Sequence, residues 1–94
     1  MGYYKFKLPK GSAYYYHSTK TSEKVEKDYY TIVEYNHDST IREVLEKAST
    51  QFAQRIAIEE MHNVKNWVNI VLDTDTFVPI GDVKKGDKSW KKEP

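Results

Sequence analysis

The sequence predicts a two-layer α+β fold: a mostly antiparallel sheet of four to five strands with one long helix packed across it, in the order βββαββ. Three observations point there. A single stretch, Asp38 to Met61 (DSTIREVLEKASTQFAQRIAIEEM), keeps helical periodicity over many turns. Strand-like runs, alternating in polarity or rich in β-branched and aromatic residues, lie on both sides of it. A helix with one apolar stripe buries it by lying across strands that have one apolar face.

Tyr3 to Leu8 alternates, with Tyr4, Phe6 and Leu8 on one face and Tyr3, Lys5 and Lys7 on the other, as a half-buried strand does. Pro9-Lys10-Gly11-Ser12 is turn chemistry, and Ala13 to His17 (AYYYH) reads as the return strand of a hairpin. Ser18 to Lys27 is polar with one aliphatic residue and reads as an exposed loop, with room for a helical turn from Ser22. Asp28 to Tyr35 (DYYTIVEY) is a strand with no wholly polar face, which suggests a central position covered on both sides.

Asp38 or Ser39 is expected to cap the helix, because a short side-chain oxygen there accepts from an orphaned backbone N–H. Ile41, Val44, Leu45, Ala48, Phe52 and Ile56 form the apolar stripe, and His62-Asn63 is the stop signal. Trp67 to Leu72 (WVNIVL) is almost continuously apolar and suits a central strand. Asp73 to Thr76 is a reversal, and Phe77 to Val83 returns as an edge strand, because Pro79 cannot donate to a ladder. Residues 1–83 are thus expected to form one domain. Residues 84–94 are expected to form a Lys-rich, flexible tail in which only Trp90 packs back.

Residues Tyr29 to Phe52, YYTIVEYNHDSTIREVLEKASTQF, run from a strand through a polar turn and Asp-Ser-Thr-Ile into an amphipathic helix. This passage resembles the strand-to-helix segment of ubiquitin-like β-grasp domains, Ras-association domains among them. Ile41, Val44, Leu45 and Ala48 match the positions that pack that family's helix on its sheet. The resemblance covers about a quarter of the chain and departs from the family elsewhere. An extra aromatic strand and polar loop precede DYYTIVEY, no clear final strand follows GDVKKGDKSW, and no Gly-Gly is present for conjugation. The resemblance implies protein binding through an exposed sheet face or edge, without enzyme activity. Fold alone does not give function.

Composition narrows the classes. The 94 residues contain no cysteine, which removes disulfides, zinc ribbons and thiol nucleophiles together and favours an intracellular setting. The opening MGYYKFKLPKG lacks the apolar core of a signal peptide, and Phe6 stands where myristoylation requires Ser or Thr. No apolar run approaches the ~20 residues that span a bilayer. A soluble, cytoplasmic protein without membrane contact is expected. The net charge is +1 but segregated: six Lys against two Glu in 1–27, four basic against ten acidic residues in 28–82, five Lys against two acids in 83–94. A solvated helix and tail explain that pattern more simply than a bipolar surface does. Thirteen Lys against two Arg suggests an AT-rich coding genome, as in low-GC bacteria and their phages.

The eight tyrosines alternate with or adjoin Lys5, Lys7, Lys10 and His17, and the candidate interaction surface is Lys5, Lys7, Lys10, Tyr14 and Tyr16. Aromatic rings can stack bases while ammonium groups meet phosphates, yet the Gly-flanked aromatic pair of RNA-recognition motifs is missing. Packing is therefore the first explanation of the tyrosines, a protein interface the second and nucleic acid the third. Glu59-x-x-His62 has metal-ligand spacing, but di-iron sites need a second copy and further carboxylates. A calcium loop opening at Asp73 would need Gly and Glu where Val78 and Lys84 stand. The three histidines follow no metal pattern, and no serine sits in a nucleophile elbow. No catalytic, cofactor or metal residue is assigned. The expected function is a non-enzymatic protein-binding module, an adaptor or inhibitor, with self-association through an edge strand left open. The alternative is a weak single-stranded nucleic-acid binder that uses the same tyrosines and lysines with the Lys-rich tail.

Overall fold

The structure is a computed structural model and describes residues 2–83. The expected Lys-rich tail, with Trp90, lies outside the described residues. One long helix packs across two small antiparallel sheets, so the fold is α+β. The expected single sheet is divided in two, three strands in each.

The first sheet joins β1 (Gly2–Leu8), β4 (Tyr29–Tyr35) and β6 (Val78–Val83) in the order β4-β1-β6. β1 is central, with Leu8 opposite Tyr29 and Gly2 opposite Tyr35 on one side, and Tyr3 opposite Val83 on the other. This pairing uses both edges of β1, so the expected hairpin between β1 and the AYYYH strand cannot form. β4 is an edge strand rather than a central one. Its outward Tyr30 is buried, with the Lys5 and Lys7 ammonium groups 4.9 and 5.9 Å over its ring. β6 is the other edge, as Pro79 requires. The register slips between Lys5 and Phe6, which face Gly81 and Pro79, so Ile80 is the extra residue of a bulge. Gly81 supplies the φ of +141° that the bulge demands.

The second sheet joins β2 (Ala13–Tyr16), β3 (Thr21–Lys24) and β5 (Ile70–Leu72) in the order β3-β2-β5. The Pro9–Ser12 turn, closed by Ser12 N–H on the Pro9 carbonyl at 3.1 Å, carries the chain from one sheet to the other. β3 falls inside the stretch read as a loop. Its TSEK sequence has no strand signal of its own, and pairing with β2 makes it a strand. Val25, just beyond it, is buried and exchanges backbone hydrogen bonds with Gly11 and Ser12 at 3.0 and 2.9 Å. The first half of the expected central strand at Trp67–Leu72 is the end of a 3-10 helix over Val64–Asn69, and the three-residue β5 that follows lies at an edge. Asn63 caps that 3-10 helix from its side chain and Asn69 bonds back to the Asn66 carbonyl, so short amides outcompete the ladder.

Helix α1 (Ile41–Glu59) is capped by Thr40 rather than by Asp38 or Ser39. Thr40 Oγ1 accepts from Glu43 N–H at 3.1 Å and Thr40 N–H donates to the Glu43 carboxylate at 2.9 Å, a reciprocal capping box. Ser39 is occupied elsewhere, accepting from Asn36 N–H. Val44, Ala48, Phe52, Ala53, Ile56 and Ala57 are the buried face. They pack with Phe6, Leu8, Tyr29 and Val33 of the first sheet and Tyr14, Tyr16, Ile70 and Leu72 of the second, in one core. Ile41, expected in the stripe, is 71% exposed.

Candidate functional site

The five residues expected to form one surface are separated. Lys5 and Lys7 stand on the uncovered face of the first sheet, and Lys7 also pairs with Asp28 at 3.6 Å. Lys10 is exposed in the turn after β1, with its backbone N–H on Asp28 at 2.7 Å. Tyr14 and Tyr16 belong to the second sheet and are buried, 2% and 5% exposed. Tyr14 and Tyr16 are thus core residues, whereas Lys5, Lys7 and Lys10 are not. The alternating side chains of β2 turn them toward α1, where aromatic area is worth most.

Tyr14 instead enters a hydrogen-bonded junction at the end of α1. Its hydroxyl donates to Glu60 at 3.0 Å, and the Tyr29 hydroxyl donates to the other Glu60 oxygen at 3.2 Å. Glu26 N–H adds a third bond to that carboxylate. With its proton committed, the Tyr14 oxygen accepts from His62 Nε2 at 2.9 Å, and the His62 ring stacks on Tyr16. Burial first, and the Glu60 carboxylate second, push both tyrosines well above the ordinary phenol value. Next to this junction Glu59 is held by Lys27 and by two bonds from Arg55, at 3.0 and 2.8 Å. Burial works to raise the Glu59 pKa, but those two cations outweigh it and the value is lowered. Glu59 and His62, spaced like metal ligands, therefore serve different partners. Among the described residues no group of three or more His, Asp or Glu side chains could hold a metal ion.

The concavity with binding character lies at the opposite end of α1. A groove of about 610 Å³ opens between the first turns of α1 and one end of the first sheet. Ile41, Val44 and Leu45 form its helical wall. Tyr4 and Phe6 of β1 form its floor, with ring centroids 5.0 Å apart, and Phe77 continues the aromatic row 6.3 Å from Phe6. Pro79 and the 3-10 turn Thr74–Thr76 close the far side, where the Asp73 side chain accepts from Asp75 N–H at 2.9 Å. Tyr35 closes the end. Its ring crosses β1 over Gly2 and its hydroxyl donates to Asp82 at 2.7 Å, which raises its pKa. The volume lies within the ~300–1,000 Å³ typical of ligand pockets.

Sequence reasoning missed this groove because its two walls are distant in the chain. The one signal was Ile41, an apolar residue at the first helical position, where the stripe places it at the end of the buried face. Among the described residues no helix is long and apolar enough to cross a membrane. In comparisons with known proteins, no family model, no curated protein and no solved structure matches the chain.

Proposed function

We propose that this protein is a small protein-binding module, an adaptor or inhibitor acting in the cytoplasm of a low-GC bacterium or in a cell infected by its phage, with no chemistry of its own. The observation that carries this reading is the apolar groove, whose helical rim leaves Ile41 71% exposed beside an aromatic floor. Exposed apolar surface lining a concavity is where partner side chains gain most from leaving water. The resemblance of residues 29–52 to β-grasp domains supports the same class of function. The nucleic-acid alternative has less support. The lysines of the uncovered sheet face already occupy the ring of Tyr30, and Tyr14 and Tyr16 are withdrawn into the core.

The test is cross-linking from a photoreactive residue in place of Leu45, in the source cell. A defined protein should be captured and should be lost when Ile41→Asp is added. Capture of nucleic acid instead, or a protein whose recovery ignores Ile41→Asp, would refute the reading.

A further inference from the structure

We infer that the groove receives an apolar anchor carried on a basic segment of another protein: one or two bulky side chains flanked by lysine or arginine. The inference rests on the protein-binding reading and specifies the partner's chemistry. The groove's apolar wall and aromatic floor select the anchor. Its surroundings select the flanks. Asp75 lines the groove directly, and Asp82 stands at its end, held by Tyr35. Asp38 and Glu43 line an adjoining cleft that shares Tyr35, Ser39 and Val44 with the groove. The hydrogen bonds from Thr40 hold the Glu43 pKa below the ordinary carboxylate value, so Glu43 is charged at neutral pH.

Against these four carboxylates, the lining residues of the two clefts include one cation, Lys47, whose ammonium donates to the Glu34 carbonyl at 3.2 Å. Arg42, next to Ile41, is paired with Glu46 at 3.4 Å. A segment that buries an apolar side chain here brings its flanking residues within a Debye length, ~8 Å at physiological salt, of that acidic rim. Basic flanks are attracted and acidic flanks or phosphates are repelled.

The experiment selects random dodecapeptides displayed on phage against the full chain, then measures the enriched peptides by fluorescence anisotropy. Ile41→Asp is suited to the test: the residue is exposed, and a carboxylate at the first helical position is favourable to the helix. Asp75→Lys reverses one exposed rim charge. The enriched peptides should carry an aromatic or aliphatic residue between lysines or arginines. Either variant should weaken them about tenfold or more, and added salt should weaken them further. Enriched peptides without basic flanks, still lost on Ile41→Asp, would overturn this inference and leave the protein-binding reading standing. Peptides that ignore both variants, or no enrichment at all, would overturn both. Two further outcomes would also overturn it by naming another occupant. One is a dimer in light scattering that Ile41→Asp abolishes. The other is peptide binding that emerges only after residues 84–94 are removed.

Discussion

Tyr14 and Tyr29 stand in different sheets, yet their hydroxyls donate to the two oxygens of one carboxylate, Glu60, at 3.0 and 3.2 Å. Glu60 is the C-cap of α1, so one side chain fastens the helix end to both sheets at once. A hydrogen bond to a charged acceptor contributes ~1.5–3 kcal/mol, about twice an ordinary one. Tyr29→Phe should therefore lower stability by about that amount in urea denaturation. Combining it with Tyr14→Phe should give a non-additive loss, because the two share an acceptor. Additive losses, each under about 0.5 kcal/mol, would show that the junction is ornamental.

The same tyrosines predict an alkaline limit to stability. Burial, then Glu60, raises both above the ordinary value of 10.0, so the folded state holds these protons more tightly than the unfolded state does. Their contribution is whole below pH ~10 and is lost as pH rises toward the folded values. Unfolding free energy should fall progressively above pH ~10, and the fall should be shallower in Tyr29→Phe. Equal slopes in the two proteins would assign the alkaline loss to other groups.

Thr40→Ala should cost ~0.5–2 kcal/mol, since it removes the side-chain acceptor of the capping box. Ser39→Ala, one residue earlier, should cost less, because the Ser39 hydroxyl accepts from Asn36 N–H in the loop before the helix rather than from a helical N–H. Thermal denaturation of the two variants ranks them, and the reverse order would move the helix start.

Met61 follows the C-cap in a left-handed conformation, φ 63°, and is 89% exposed. An L-residue with a Cβ is strained there by ~1–2 kcal/mol, and glycine is not. Met61→Gly should raise the denaturation midpoint, by a net of about 1 kcal/mol or less once the freer unfolded chain is counted. A lower midpoint would mean that the Met61 side chain makes contacts that matter in solution.

The legible part of this fold is the part written in local pattern. Phe6 and Leu8 against Lys5 and Lys7, the stripe from Val44 to Ile56, and the edge enforced by Pro79 all follow from alternation, helical period or the missing N–H of proline. The candidate surface was less legible. Alternation puts Lys5 on the polar face of its strand. In the all-tyrosine run Tyr14 to Tyr16 it does not say which rings turn inward, and packing of β2 against α1 buries Tyr14 and Tyr16.

By itself, then, the sequence determined an α+β chain with one helix, its apolar face and its strong strands, because each of those is set by neighbours within a few residues. Tertiary structure decided which strands pair. It made a strand of Thr21–Lys24 by laying it against β2, and it split one expected sheet into two by using both edges of β1. It also built the groove, by bringing Ile41 and Leu45 within reach of Phe77 and Pro79. Those choices turn on long-range hydrogen bonding and burial, which no local period encodes.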